Sequence, residues 1–136
     1  MTDPSLPPAA IAEALDKAAV AWLTTVRRDG QPQASPVWFV YDDAGFTIYS
    51  RPDAQRLRNI GRHPRVSLNL DSEEGGRVVT VEGIAVITDG PPSDAHLSYR
   101  EKYLERMTRM GYTPERFAAE YSSVVRVVAT RWRVDV

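Results

Sequence analysis

Short runs of β-branched and aromatic residues, divided by tight-turn signals, dominate this chain and leave it few possible folds. Residues Ala21–Val26 and Gln33–Tyr41 form two such runs, and Asp29-Gly30 between them is a hairpin signal, because glycine reaches positive φ without steric penalty. Asp42-Asp43-Ala44-Gly45 marks a second turn before a third run, Phe46–Ser50. Pro36 has no N–H to give a neighbouring strand, so its run is expected at an edge, at a bulge or where a ligand takes over the pairing. Arg65–Asp71 alternates, with Val66, Leu68 and Leu70 on one side and Ser67 and Asn69 on the other. After an expected loop at Ser72–Gly76 comes a long strand, Arg77–Thr88, with a bulge expected at Glu82-Gly83; Val124–Val134 reads as the last strand.

Helical spacing is confined to four places. Ile11, Leu15, Ala18 and Trp22 predict a helix over Ala9–Ala21. Asp53–Arg62 predicts a short helix capped by Asp53 and stopped by Pro64. Ser93–Met110 places Tyr99, Tyr103 and Met107 on one face, and Thr113 opens a last short helix with Pro114 at its first turn. The pattern predicts a mainly β fold: a closed or nearly closed barrel of six to seven strands with flanking helices. It forms a single domain over residues 1–136, with residues 1–8 expected to be a flexible N-terminus. The last two strands are apolar on both faces, through Val78, Val79, Val81 and Ile84 in one and Val124, Val125, Val127 and Val128 in the other. A chain of this length has few helices to cover them, so a second copy is expected to do so, in a homodimer.

Composition narrows the chemistry. The 136 residues suit one domain, and a net charge of -1 gives no bulk attraction for nucleic acid. Without cysteine there is no disulfide or thiolate chemistry. No apolar run approaches a membrane span and the N-terminus lacks the order of a secretory signal, so a cytoplasmic location is expected. G-x-S-x-G and G-x-G-x-x-G are both absent, and His63 and His96 have no spacing partners for a metal. Lys17 and Lys102 are the only lysines; the other cations are arginines, whose forked guanidinium groups suit phosphate and carboxylate. Redox chemistry on such a chain has to be carried by a cofactor other than a classical Rossmann-bound nicotinamide.

Three segments, in order, carry a resemblance: AWLTTVRRDGQPQASPVWFVYDDAGFTIYS, then RPDAQRLRNIGRHPRVSLNLD with its "K-x-R-N-L" helix followed by "P-x-V-s-l", then VVTVEGIAVITD with "v-x-v-x-G-x-A". Together the chain resembles the pyridoxamine 5'-phosphate oxidase-like split β-barrel family, closely over Ala18–Asp89, and within it the branch using the deazaflavin coenzyme F-420. The resemblance implies a homodimeric oxidoreductase, with cofactor phosphate held by Ser50, Gln55, Arg56 and Asn59. Gln55 is read as standing where many relatives have Lys, with Arg51 or Arg56 supplying the charge. The resemblance further implies that the ring lies along Gln33, Ser35, Pro36, Val37 and Trp38, and that Trp132 approaches across the dimer. The expected cofactor is F-420 and the expected reaction is hydride transfer to a small conjugated or electron-poor substrate. FMN is the alternative on the same fold, and a non-catalytic carrier of cofactor or haem the second. No catalytic residue is singled out, although Tyr99 or Tyr103 could face a substrate.

Overall fold

Seven antiparallel strands build one curled sheet in the computed structural model, which describes residues 3–70 and 78–135. They are β1 (Ala21–Val26), β2 (Pro32–Val37), β3 (Val40–Asp42), β4 (Gly45–Ser50), β5 (Arg65–Leu70), β6 (Val78–Thr88) and β7 (Ser123–Asp135). Their spatial order is β2-β1-β5-β6-β7-β4-β3, which leaves β2 and β3 as edges. The sheet is a half-barrel, curled far enough to bring β2 close to β4. Four helices flank it: α1 (Ala12–Lys17), α2 (Gln55–Arg62), α3 (Leu97–Arg109) and α4 (Pro114–Glu120). Among the described residues no helix is long and apolar enough to cross a membrane.

Local chemistry sets the turns. Gly30 adopts φ 88° in the β1–β2 hairpin, and the Asp29 carboxylate accepts from the Gln31 N–H. In β5 the alternation holds: Val66, Leu68 and Leu70 are buried, while Ser67 and Asn69 are partly exposed. The β6–β7 register shifts between Glu82 and Gly83, and a Cβ at Gly83 would stand 2.8 Å from the Val128 carbonyl oxygen. Only glycine lets the two backbones come this close at the bulge.

Two apolar clusters result. Inside the curl lie Leu23, Phe39, Phe46, Ile48, Leu68 and Val81. Outside it, Tyr49 and Val124 pack beneath Tyr99, Tyr103 and Met107 of α3 and Phe117 of α4. Strand β4 is buried along its whole length because each face meets one cluster. Each of these large side chains contributes about 1.5–3 kcal/mol through burial.

The structure departs from the sequence reading in several places. The first helix stops at Lys17, and Ala18 turns extended (φ -62°, ψ 122°). The Ala19 carbonyl is taken by the Tyr103 hydroxyl instead of a helical N–H (2.7 Å), and Trp22 falls on β1. The second run is two strands, β2 and β3, parted at Trp38-Phe39. The Ser93–Met110 helix breaks at His96, whose Nδ1 caps α3 by accepting from the Tyr99 N–H (3.3 Å). Ala54, not Asp53, holds the cap position of α2, and it makes no side-chain capping bond. At the N-terminus the Trp132 backbone N–H donates to the Pro4 carbonyl and its indole N–H to the Ser5 carbonyl, both at 3.1 Å. The loop expected at Ser72–Gly76 lies outside the described residues.

Candidate functional site

The site is built where the end of β4 runs into α2 and faces edge strand β2. Arg56, on the first turn of α2, is the central cation. Its Nε donates to the Ser35 hydroxyl of β2 (3.2 Å) and its Nη1 to the Ser50 hydroxyl of β4 (2.8 Å), so one guanidinium spans the mouth of the curl. Arg56 is partly buried and forms no ion pair among the described residues. Burial pulls its pKa below the ordinary guanidinium value. A half-buried cation with no carboxylate partner among the described residues, beside the α2 N-terminus whose cap Ala54 makes no side-chain bond, favours an anion at that point.

A polar network holds this arrangement from behind. Asn59 is fully buried; its amide N–H groups donate to Thr25 Oγ1 (2.9 Å) and Gln33 Oε1 (3.2 Å), and its oxygen accepts from Gln55 Nε2 (3.0 Å) and Arg62 Nη2 (3.4 Å). Ser50 is equally buried and donates to the Arg51 carbonyl (3.1 Å). These two residues therefore position Arg56, Gln33 and Gln55 and offer no free surface of their own. Of the two arginines named beside Gln55, Arg56 is the one that reaches Ser35 and Ser50, while Gln55 bonds to Asn59 and Arg58.

Two clefts open on either side of the network. The first, of about 320 Å³, is lined by Pro36, Val37 and Trp38 of the β2 edge, by Arg51 and Arg56, and by Tyr49, Phe117 and Tyr121. Its aromatic wall is a column of nearly parallel rings. Trp38 stacks on Tyr103 (4.6 Å, 1°) and on Phe117 (5.3 Å, 11°), and Phe117 stacks on Tyr121 (4.3 Å, 12°). The Arg51 guanidinium caps the column 4.8 Å above Tyr121 and pairs with Glu120 (3.5 Å). The second cleft, of about 420 Å³, is net basic: Arg27, Arg28 and Arg62 surround Gln33 and Gln55, and Asp29 in the same lining pairs with Arg27 (2.8 Å).

Sequence reading thus brought Gln33, Ser35, Pro36, Val37, Trp38, Ser50, Arg51, Gln55, Arg56 and Asn59 to one corner. It did not bring Trp132 there: within this chain that ring lies in the inner cluster, beside Phe46 (5.7 Å) and Tyr41 (5.4 Å), and lines neither cleft. It missed Tyr49, Phe117 and Tyr121, although the four-residue spacing of Phe117 and Tyr121 was a signal. It also missed Arg27, Arg28 and Arg62, which only strand pairing carries to the α2 side. His63 and His96 line neither cleft.

Known proteins share this fold. The family model described as "Pyridoxamine 5'-phosphate oxidase" matches residues 7–134. A pyridoxine/pyridoxamine 5'-phosphate oxidase of Anaplasma phagocytophilum is 36% identical over 81 residues, 59% of this chain and 39% of that protein. The chain thus matches about two-fifths of the length of that relative. Among solved structures, an F420 reductase superposes with a TM-score of 0.69 at 23% identity, covering 94% of this chain and 98% of its own. HutZ, a haem storage protein from Vibrio cholerae, superposes at 0.68 and 19% identity, covering 93% of this chain and 92% of its own. At these identities the two structures establish the shared fold alone.

Proposed function

The chain belongs to the pyridoxamine 5'-phosphate oxidase family, and from that premise we propose that it is a homodimeric oxidoreductase subunit that binds a flavin-type cofactor. The observation that carries this reading is Arg56: a partly buried guanidinium with no carboxylate partner among the described residues, held between Ser35 and Ser50. It fits a phosphate, and the free edge of β2 at Pro36–Trp38 fits the polar rim of a flat ring. When bound, such a cofactor supplies hydride transfer; the protein's part is to bind, orient and exclude water. Arg56 anchors the anionic tail, Asn59 keeps Gln33 and Gln55 facing it, and the aromatic column walls the ring side against solvent.

F-420 is the cofactor we favour, with a small conjugated or electron-poor molecule as hydride acceptor. Its tail carries phosphate and several carboxylates, and the chain sets two arginines in the first cleft and three around the second. FMN, with one phosphate, uses only the Arg56 corner. Haem carriage is disfavoured because neither histidine lines either of these two clefts and His96 is occupied as the cap of α3. A cytoplasmic setting follows from this cofactor use and belongs to the same proposal.

The test is a side-by-side fluorescence titration of the purified chain with F-420 and FMN, after expression in a host that makes no deazaflavin. Colourless protein that quenches F-420 supports the favoured reading. Yellow protein that holds FMN selects the alternative, and failure to bind either removes the proposal.

A further inference from the structure

We propose that Tyr103 is a positioning residue for the aromatic cleft: its hydroxyl secures the Phe39 backbone where β2 and β3 part, and its ring sets the plane of Trp38. The inference rests on the reading of that cleft as the cofactor site.

The break between β2 and β3 removes Phe39 from strand pairing, and its N–H and C=O would be left unsatisfied in a fully buried position. Two consecutive residues of α3 take them. The Phe39 N–H donates to Tyr103 Oη (2.8 Å), and the Phe39 carbonyl accepts from Lys102 Nζ (2.9 Å). The Tyr103 hydroxyl proton in turn lies within reach of the Ala19 carbonyl (2.7 Å) and the Phe39 carbonyl (3.0 Å). The Lys102 ammonium also stands 3.9 Å over the Phe39 ring. One hydroxyl thereby joins the α1–β1 linker, the strand break and α3.

The consequence falls on the neighbouring residue. Phe39 is anchored inside the curl, so Trp38 is turned outward, where the Tyr103 ring lies parallel to it. The Trp38 stacking surface is then engaged by Tyr103 and Phe117, and a ligand meets a fixed wall instead of a ring free to stack on it. By contrast, Tyr99 lines the cleft directly, whereas Tyr103 acts on it through Trp38; the Tyr99 hydroxyl finds no hydrogen-bond partner among the described residues, so it cannot perform this service.

The test compares Tyr103→Phe with wild type and with Val79→Ala, a stability control in the inner cluster away from the cleft. Near-UV circular dichroism of Trp38, assigned by difference against Trp38→Phe, and titration with F-420 and FMN are the readouts. The expected result is loss of the Trp38 band in Tyr103→Phe and an affinity lower by about five-fold or more, because small displacements of a site wall are costly. Val79→Ala should melt earlier yet keep both band and affinity. If Tyr103→Phe only melts earlier, with the band kept and affinity within about two-fold of wild type, less than one ordinary hydrogen bond is worth, the proposal is overturned. If wild type binds neither cofactor, the functional reading has failed separately and the band alone decides: its loss supports the positioning role and its persistence overturns it.

Discussion

Among the described residues, burial lowers the pKa of two cations, Arg56 and Lys102, and they carry opposite meanings. Arg56 has no counter-ion among the described residues, so an incoming anion completes it. Arg56→Ala is expected to weaken cofactor binding by about 1.5–3 kcal/mol, the worth of a charged hydrogen bond. Isothermal titration calorimetry checks this, and unchanged affinity would remove the residue from the site. Lys102 is instead pushed down to about 8 by desolvation, with Asp16 opposing the shift. Its unfolded value is near 10.5, so between these two pH values the unfolded chain binds more protons than the folded one. Stability should therefore rise as pH goes from about 8 towards 10 and carry the full penalty below about 8. Above about 10 the trend reverses, because burial raises Tyr49 to about 12 and holds Tyr99 and Tyr103 high as well. Urea midpoints across this range should trace the rise in wild type and lose it in Lys102→Met.

At the scale of elements, backbone conformation that a residue determines for itself was legible, and conformation determined from afar was not. The β1–β2 hairpin and the Glu82-Gly83 bulge lie where glycine marks them, because positive φ or close backbone approach is a local demand. Gly83→Ala would set a methyl 2.8 Å from the Val128 carbonyl and 2.7 Å from Val127 Cγ1, forcing β6 and β7 apart. A loss of about 1–3 kcal/mol is expected by chemical denaturation, the usual effect of overpacking. The β2–β3 break, in contrast, sits within Val37–Tyr41, five consecutive β-branched or aromatic residues. It exists because Tyr103, 64 positions along the chain, supplies an acceptor for the Phe39 N–H. Helix α1 likewise ends early where the Ala19 carbonyl finds the same hydroxyl.

For the whole molecule, the outer face of β6 and β7 is the open question, and the proposed homodimer is the answer it favours. Ile84 pairs with Val128 there, and Val86 and Val128 are more than half exposed (53% and 55%). Such apolar positions clustered on one sheet face suit self-association. Val128→Asp is expected to convert a two-chain species into single chains in size-exclusion chromatography with light scattering, while circular dichroism keeps its β signature. A wild type that elutes as a single chain would refute the dimer.

Read alone, the amino-acid order determined six strand runs, the glycine-marked turns, the bulge and the arginine-bearing helix after the third run, since period-two burial, glycine geometry and helix spacing act over a few residues, while the division of the second run into β2 and β3 came from the tertiary structure. Only the tertiary structure decided that β2 would be an edge curling back to β4, that Arg56 would bridge Ser35 and Ser50, and that Tyr49, Phe117 and Tyr121 would wall the cleft. These depend on strand order and on side chains meeting across long stretches of chain, and no local periodicity encodes which distant backbone a hydroxyl or a guanidinium will find.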